Sequence, residues 1–319
     1  MKNMKKMVAL VLALVLCLAL VACGGGSSDT YTVGVVQLTQ HVALDAATQG
    51  FVDALKEELG DKVDIKVNNA SNDVNVCSTL ATQLVAEKVD LIMANATPAL
   101  QAAAAATTDI PILGTSVTEY GVALEIENFS GTVGGNISGT SDLAPLADQA
   151  AMLKEWFPNA MNVGLLYCSS EANSQYQVDV VKVELEKLGY TCKLYAFSDS
   201  NDLSAVCTTA VAESDVIYVP TDNTVADNTA LIDNICQPAK IPVIAGEQGI
   251  CSGCGVATLS IDYYDLGVAT GKMAAKILTG ESKVSEMPIE YAPQFTKKYN
   301  PTICEALGLT APEGYVAIG

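Results

Sequence analysis

The chain has 319 residues, half of them hydrophobic, and its 36 acidic against 17 basic side chains give a formal charge of −19. A surface of that sign repels nucleic acid and anionic lipid headgroups. One histidine cannot build a histidine-rich metal centre, and no metal or cofactor is expected.

The N-terminus reads as a targeting segment. Lys2, Lys5 and Lys6 precede an apolar run over residues 7–22, shorter than the about 20 residues a membrane-spanning helix needs. The run ends in Leu20-Val21-Ala22-Cys23-Gly24, a pattern that looks like a bacterial lipobox. Residues 1–22 are therefore expected to be a signal peptide, with Cys23 lipidated as the first mature residue. Residues 23–30 are rich in Gly and Ser and read as a flexible tether. The expectation is an extracytoplasmic domain, monomeric, held to the membrane by its lipid. Without the three leader lysines, 14 basic residues face 36 acidic ones.

Short β-rich apolar runs then alternate with segments of helical periodicity. Strands are predicted at 31–37, 63–67, 90–94 and 110–114, and helices at 44–59, 76–87 and 98–107. Residues 115–142, rich in Gly, Ser, Thr and Asn, read as the end of this unit and a crossover. A helix at 143–156 leads into a second unit. It has strands at 163–167, 191–197, 216–220 and 242–245, and helices at 174–188, 203–212 and 228–237. A strand at 256–261, a helix at 264–278, a strand at 290–295 and a short helix at 301–307 follow.

The two units echo each other. Val33-Gly34-Val35-Val36 answers Val163-Gly164-Leu165-Leu166, and Leu59-Gly60 answers Leu188-Gly189. Ser71-Asn72-Asp73 answers Ser200-Asn201-Asp202, Val89-Asp90-Leu91-Ile92 answers Ser214-Asp215-Val216-Ile217, and Ile110-Pro111-Ile112 answers Ile241-Pro242-Val243. The fold class expected is α/β, with two similar doubly wound parallel-sheet lobes joined by hinge crossovers. Residues 31–140 plus 262–288 are assigned to the N-terminal lobe, and 141–261 plus 289–319 to the C-terminal lobe. Two like lobes make a cleft, and a cleft points to a ligand.

Ligands of open α/β sheets bind beyond the carboxyl ends of the strands. That rule selects Gln37, His41 and Asp45, then Ala96 and Thr97, then Thr115 and Ser116. In the second unit it selects Ser169, Ser170 and Asn173, then Thr221, Asp222 and Asn223, then Glu247. Thr97-Pro98 and residues 221–224 head helices, so free N–H groups there could hold a carboxylate. Asp222 or Glu247 could hold an ammonium group, so the set suits a zwitterion such as an amino acid. The same residue types also serve as helix N-caps. His41 reads more readily as a rim residue than as a direct contact, and Trp156 as packing.

Eight cysteines follow Cys23. Most sit in apolar patterns and read as unpaired buried thiols, although an even count in an exported chain also allows disulfides. Cys251-Ser252-Gly253-Cys254 leaves a local disulfide, loop thiols, a metal site or a redox site open. Enzymatic signatures are missing. There is no Gly-x-Ser-x-Gly elbow, Gly267–Met273 lacks the spacing of a P-loop, and residues 131–139 do not match the dinucleotide fingerprint. No catalytic residue is assigned.

Five motifs carry a family resemblance over nearly all of the mature chain. They are His41-Val42-Ala43-Leu44-Asp45, Ala96-Thr97-Pro98-Ala99, Gly135-Asn136-Ile137-Ser138-Gly139-Thr140-Ser141-Asp142, Pro220-Thr221-Asp222-Asn223 and Ile261-Asp262-Tyr263-Tyr264-Asp265-Leu266-Gly267. With them the chain resembles the substrate-binding lipoproteins of bacterial ABC importers, in the group that includes tryptophan and other aromatic amino-acid binders. The resemblance implies a type I periplasmic-binding fold with three crossovers that closes on a small solute. It implies no catalysis, and a membrane permease with its cytoplasmic ATPase as partners. It adds Asp142 to the candidate binding residues, and Tyr120, Tyr167 or Tyr176 could stack on an aromatic ligand. Glu119-Tyr120 stands where the family usually has Asp-Pro, and the Cys251–Cys254 stretch is also a departure. A sensory module of the same fold, feeding a signalling partner, is the alternative function.

Overall fold

The computed structural model describes residues 30–318; the leader, Cys23 and all but the last residue of the tether lie outside them. The first lobe runs β1 (Tyr31–Gln37), α1 (Val42–Leu59), β2 (Val63–Asn69), α2 (Val74–Glu87), β3 (Leu91–Asn95), α3 (Thr97–Ala106), β4 (Ile112–Val117), α4 (Tyr120–Ala123) and β5 (Ile137–Ser141). The second runs α5 (Leu146–Trp156), β6 (Asn162–Cys168), α6 (Ala172–Lys187), β7 (Thr191–Phe197), α7 (Ser200–Glu213), β8 (Val216–Val219), α8 (Asn223–Asp227), α9 (Thr229–Ala239), β9 (Val243–Ala245), α10 (Gln248–Cys254) and β10 (Ala257–Ser260). The chain returns to the first lobe for α11 (Tyr263–Leu278) and β11 (Glu290–Tyr291). It ends in the second with β12 (Thr296–Tyr299), α12 (Pro301–Leu307) and β13 (Val316–Ala317).

The first sheet has the order β11-β5-β4-β3-β1-β2 and the second β13-β12-β10-β9-β8-β6-β7. Both orders keep the same central run, which is the structural form of the sequence echo. Pairing is parallel except between β10 and β12. Both faces of each sheet are covered, so its strands carry apolar residues on both sides. Val36, Ile92 and Ile112 pack toward one layer, and Val33, Val35, Leu91, Met93 and Leu113 toward the other. The chain crosses between lobes after Ser141, after Ser260 and after Tyr291.

Five local expectations need correction. Residues 115–142 read from the sequence as the end of the unit and a crossover with no further strand assigned, yet β5 is a fully buried interior strand of the first sheet. Its Gly-Ser-Thr composition comes from close packing: a Cβ on Gly139 would overlap the backbone of Gly114, and its φ of 145° disfavours any side chain. The first lobe therefore runs through Ser141 and not residue 140. Of the predicted strand at 290–295 only Glu290–Tyr291 is a strand, and the chain then crosses to the other sheet, where β12 begins at Thr296. Glu290 and Tyr291 pair with Thr140 and Ser141 in the first lobe, so the assignment of 289–291 to the second lobe is wrong. Finally, the Cys251–Cys254 stretch is helical, as the end of α10.

The return helix α11 lies on α1 at close range. An added Cβ on Gly50 would overlap the Tyr264 carbonyl oxygen, and one on Gly267 the Ala47 carbonyl oxygen. Gly271 likewise faces the backbone of Phe51. These glycines set the position of Tyr263, the residue that opens α11.

Candidate ligand-binding cleft

Strands β3, β4 and β5 are neighbours, with Asn95 in register with Thr115 and Val117 with Ser141. Their carboxyl ends therefore bring Asn95, Ala96, Thr97, Thr115, Ser116 and Asp142 side by side. The ends of β6, β8 and β9 bring Ser169 to Asn173, Thr221 to Asn223, and Glu247 to the facing lobe. The lobes touch across the gap. His41 Nε2 lies 3.4 Å from Asn223 Oδ1, Asn72 Nδ2 donates to Thr224 Oγ1 at 3.3 Å, and Thr39 Oγ1 donates to Asp227 Oδ2 at 3.3 Å. The hinge is thus closed, with a crevice of about 300 Å³ beside these contacts, between Leu38, Asn72 and Pro98 of one lobe and Ser170, Glu171 and Asp227 of the other.

Buried polar atoms in folded proteins are almost always partnered, and an orphan costs about 1–3 kcal/mol. Among the described residues eight buried side-chain atoms lack a partner, and five belong to this cleft: His41 Nδ1, Asn95 Oδ1, Ser116 Oγ, Asp142 Oδ1 and Asn173 Oδ1. Backbone strain concentrates there too. Ala96 has φ 92° and Ser116 φ 52°, at the ends of adjacent strands. Such conformations in non-glycine residues cluster at ligand clamps. At the start of α3, no carbonyl closes onto the N–H groups of Thr97 and Ala99.

The carboxylates divide by what they already hold. Asp222 accepts from the N–H of Val225, capping α8, and from the N–H of Cys168 at 2.7 Å. Burial, and then the neighbouring Glu171, push its carboxyl up to about 8. Glu247 caps α10 through the N–H groups of Gly249 and Ile250, and burial raises its carboxyl although His41 opposes the rise. Asp142 differs. Its Oδ2 accepts from the Tyr263 hydroxyl at 2.9 Å, and its Oδ1 is without a hydrogen-bond partner. Burial pushes it up to about 6 while Tyr263 and Thr118 pull it back.

Of the N–H groups at residues 221–224, expected to receive a ligand carboxylate, those of Thr221, Asn223 and Thr224 are taken by the protein itself. Glu171 accepts from Asn223 N, Asn223 Nδ2, Thr224 N and Thr224 Oγ1. The remaining candidates sort as follows. Gln37 is saturated by Thr39, Asp45 and Thr48, and Asp45 is exposed, so both shape the turn into α1. Ser169 and Ser170 are exposed and bond the carbonyls of Phe197 and Ser198. Thr115 bonds Thr140 in the sheet. Thr221 receives Asn173 and Gln177 on its carbonyl. Tyr120 is buried with its hydroxyl on the Thr140 carbonyl, so its ring is not free to stack, and Tyr167 packs in the second lobe's core. Trp156 packs against Phe157 and Tyr315.

Sequence reasoning did not select Glu171, Asn72, Thr224 or Tyr263 as binding candidates. Asn72 appeared only in the repeat at 71–73, Thr224 only in the helix head at 221–224 and Tyr263 only inside the motif at 261–267, while Glu171 left no trace. A groove of about 400 Å³ also lies on the hinge side, between Leu266, Tyr291 and Lys298. Its charged groups are largely exposed, whereas the cleft's are buried and one of them, Asp142, keeps an unpartnered oxygen, so the cleft is the stronger candidate. All eight described cysteines are unpaired. Cys251 and Cys254 are buried, each donating to a backbone carbonyl, and no cluster suited to a metal occurs among the described residues.

Two like lobes closed over a polar cleft are the architecture of a solute-binding protein. The chain matches the model of the ABC transporter substrate binding protein family over residues 32–317, and it belongs to that family. Such proteins are extracytoplasmic solute binders that serve ABC permeases and do no chemistry on their cargo. The chain is similar to the tyrosine-binding protein of Clostridioides difficile, 36% identical over 269 residues, which cover 82% of this chain and 76% of that one. Among solved structures it is similar to an ABC domain from Streptococcus pneumoniae in complex with L-Trp, 34% identical with a TM-score of 0.86 over 91% of this chain and 100% of the other. It is also similar to the ligand-free, open structure of a substrate-binding protein with adhesive properties from Clostridium difficile, 38% identical with a TM-score of 0.69 over 90% of this chain and 99% of the other. That structure is open, whereas the lobes of this chain are joined by hydrogen bonds across the gap. The fold is the type I periplasmic-binding fold.

Proposed function

We propose that the protein captures an aromatic amino acid for an ABC importer. The observation that carries the reading is the free Oδ1 of Asp142, a buried carboxylate oxygen without a partner on the cleft. It is the group an ammonium would satisfy. One strand away stands Ser116 Oγ at the end of β4, and two strands away are the free N–H groups at the head of α3, which suit a carboxylate. Two strand spacings amount to about 10 Å, which a ligand bridges with its own body and a hydrogen bond of about 2.9 Å at each end. The aromatic class is supported by the relatives, one named for tyrosine and one crystallised with L-Trp. The solute binds the closed form better and so shifts the hinge toward closure, and the closed form is the one delivered to the permease. The signalling alternative is not favoured by the family match.

The anchoring belongs to the same reading. Cys23 carries the lipid after removal of residues 1–22, residues 23–30 are the tether, and the domain acts as a monomer. Replacing Cys23 by serine should release the protein from membranes, and continued membrane retention would refute the anchor. For the solute, calorimetric titration with L-tryptophan, L-tyrosine and L-phenylalanine is decisive. A ligand at a hundred times its Kd should also raise stability by about 2.7 kcal/mol. No heat and no thermal shift with any of the three would sink the aromatic assignment.

A further inference from the structure

We infer that Glu171 is the positioning residue of an interlobe latch that biases the hinge toward closure before any solute is bound. Glu171 is 4% exposed and lies wholly within the second lobe. Its Oε2 accepts from the N–H of Asn223 at 3.0 Å, from Asn223 Nδ2 at 2.7 Å and from Asn173 Nδ2 at 3.1 Å. Its Oε1 accepts from the N–H of Thr224 at 2.9 Å and from Thr224 Oγ1 at 2.8 Å. These bonds fix more than position. With its amide nitrogen on Glu171, Asn223 must present Oδ1, an acceptor, to the other lobe. With its hydroxyl proton on Glu171, Thr224 must present a lone pair.

The first lobe answers with donors. Asn72 Nδ2 reaches Thr224 Oγ1, and His41 Nε2 lies against Asn223 Oδ1. A neutral His41 in this arrangement carries its proton on Nε2. Asn72 is itself held for the purpose, in the left-handed region at φ 61°, with its N–H on the Leu38 carbonyl. A carboxylate in one lobe thus dictates hydrogen-bond polarity across the hinge through two intermediaries. None of the latch bonds needs a solute. A hinge that is partly closed on its own raises apparent affinity, because the competent fraction is larger. The inference rests on hinge closure and not on the identity of the solute.

The test uses the full mature chain with Glu171→Gln, Asn72→Ala, Thr224→Val and the double variant Glu171→Gln/Asn72→Ala. The radius of gyration of each solute-free protein is measured by small-angle X-ray scattering, with circular dichroism to show that each is folded. Glu171 and Asn72 do not touch, so they couple only through Thr224. The expected result is a larger radius for each single variant than for the parent, and no further increase in the double variant. Thr224→Val, which keeps the other Glu171 bonds, should expand the protein as Asn72→Ala does. Unchanged scattering in folded Glu171→Gln and Thr224→Val would overturn the latch. Additive expansion in the double variant would reduce Glu171 to a structural cap and overturn it too. A second arm titrates L-tryptophan and L-tyrosine. Each single variant should weaken binding roughly five- to tenfold, the worth of one net hydrogen bond. Failure of both amino acids to bind any form would count against the amino-acid reading alone, since the scattering result does not depend on it.

Discussion

The Tyr263 hydroxyl donates to Asp142 Oδ2 at 2.9 Å, and this bond joins the start of the first crossing to the end of the second. Asp142 therefore belongs to the hinge and to the cleft at once. A cation drawn to its free oxygen would act on the element that bends. Replacing Asp142 by asparagine should keep the fold and weaken amino-acid binding by about 2 kcal/mol, roughly 30-fold, the scale of a hydrogen bond to a charged group. Calorimetry checks this; an unchanged Kd would remove Asp142 from the site.

The same carboxyl sets a pH dependence. Its value in the folded protein, about 6, lies above its ordinary value of 3.8 because of burial. Its contribution to stability is fully present below pH 3.8 and lost as pH rises to about 6, on the order of 3 kcal/mol. Binding should run the other way, since an ammonium favours the ionised form. Affinity should fall as pH drops through 6 and be about tenfold weaker at pH 5. Titrations from pH 5 to 7.5 on the parent and on Asp142→Asn would show it, the variant being flat.

Asp222 should behave as a structural residue. Both of its oxygens are held inside its own lobe, by Val225 and Cys168. Asp222→Ala should lower unfolding free energy by about 1–2 kcal/mol through loss of the cap and of a buried acceptor. Urea denaturation measures this. Full stability combined with loss of binding would assign Asp222 to the ligand instead.

The contact between α1 and α11 tolerates no side chain at Gly267, where a Cβ would meet the Ala47 carbonyl. Gly267→Ala should cost about 3 kcal/mol, the upper range of overpacking. At exposed Gly280, whose φ is 74°, an added Cβ meets nothing, so alanine there should cost only about 1 kcal/mol of backbone strain. Thermal denaturation of the two variants gives the comparison. Equal losses would contradict the packing argument.

Thiol chemistry separates the cysteines. All eight after Cys23 should alkylate in denaturant, since none is paired. In the native protein only Cys192 is partly exposed, and burial pushes even that thiol up to about 11. Native labelling should be slow and confined to Cys192. Mass spectrometry after timed alkylation checks both statements, and an intact Cys251–Cys254 disulfide would be seen as two thiols missing.

Much of the fold was legible in the chain itself. The apolar runs of β1, β3, β6 and β8 and the helical spacing of α1 and α11 are local records of which faces are buried. Their recurrence at intervals of about 130 residues disclosed two lobes. The polar loops behind those strands marked a cleft. Other features depend on contacts between residues far apart in sequence. β5 was invisible because it is small where it meets Gly114, and close approach leaves no apolar period. Asp142, Asp222 and Glu247 look alike in sequence, as acids just beyond the ends of strands. Only the tertiary structure gives two of them helix ends to cap and leaves Asp142 with a free oxygen. Glu171 left no trace in the sequence reading, because apart from Asn173 its carboxylate partners lie 52 and 53 residues away. Periodicity is written along the chain, but the choice of hydrogen-bond partner is made in space.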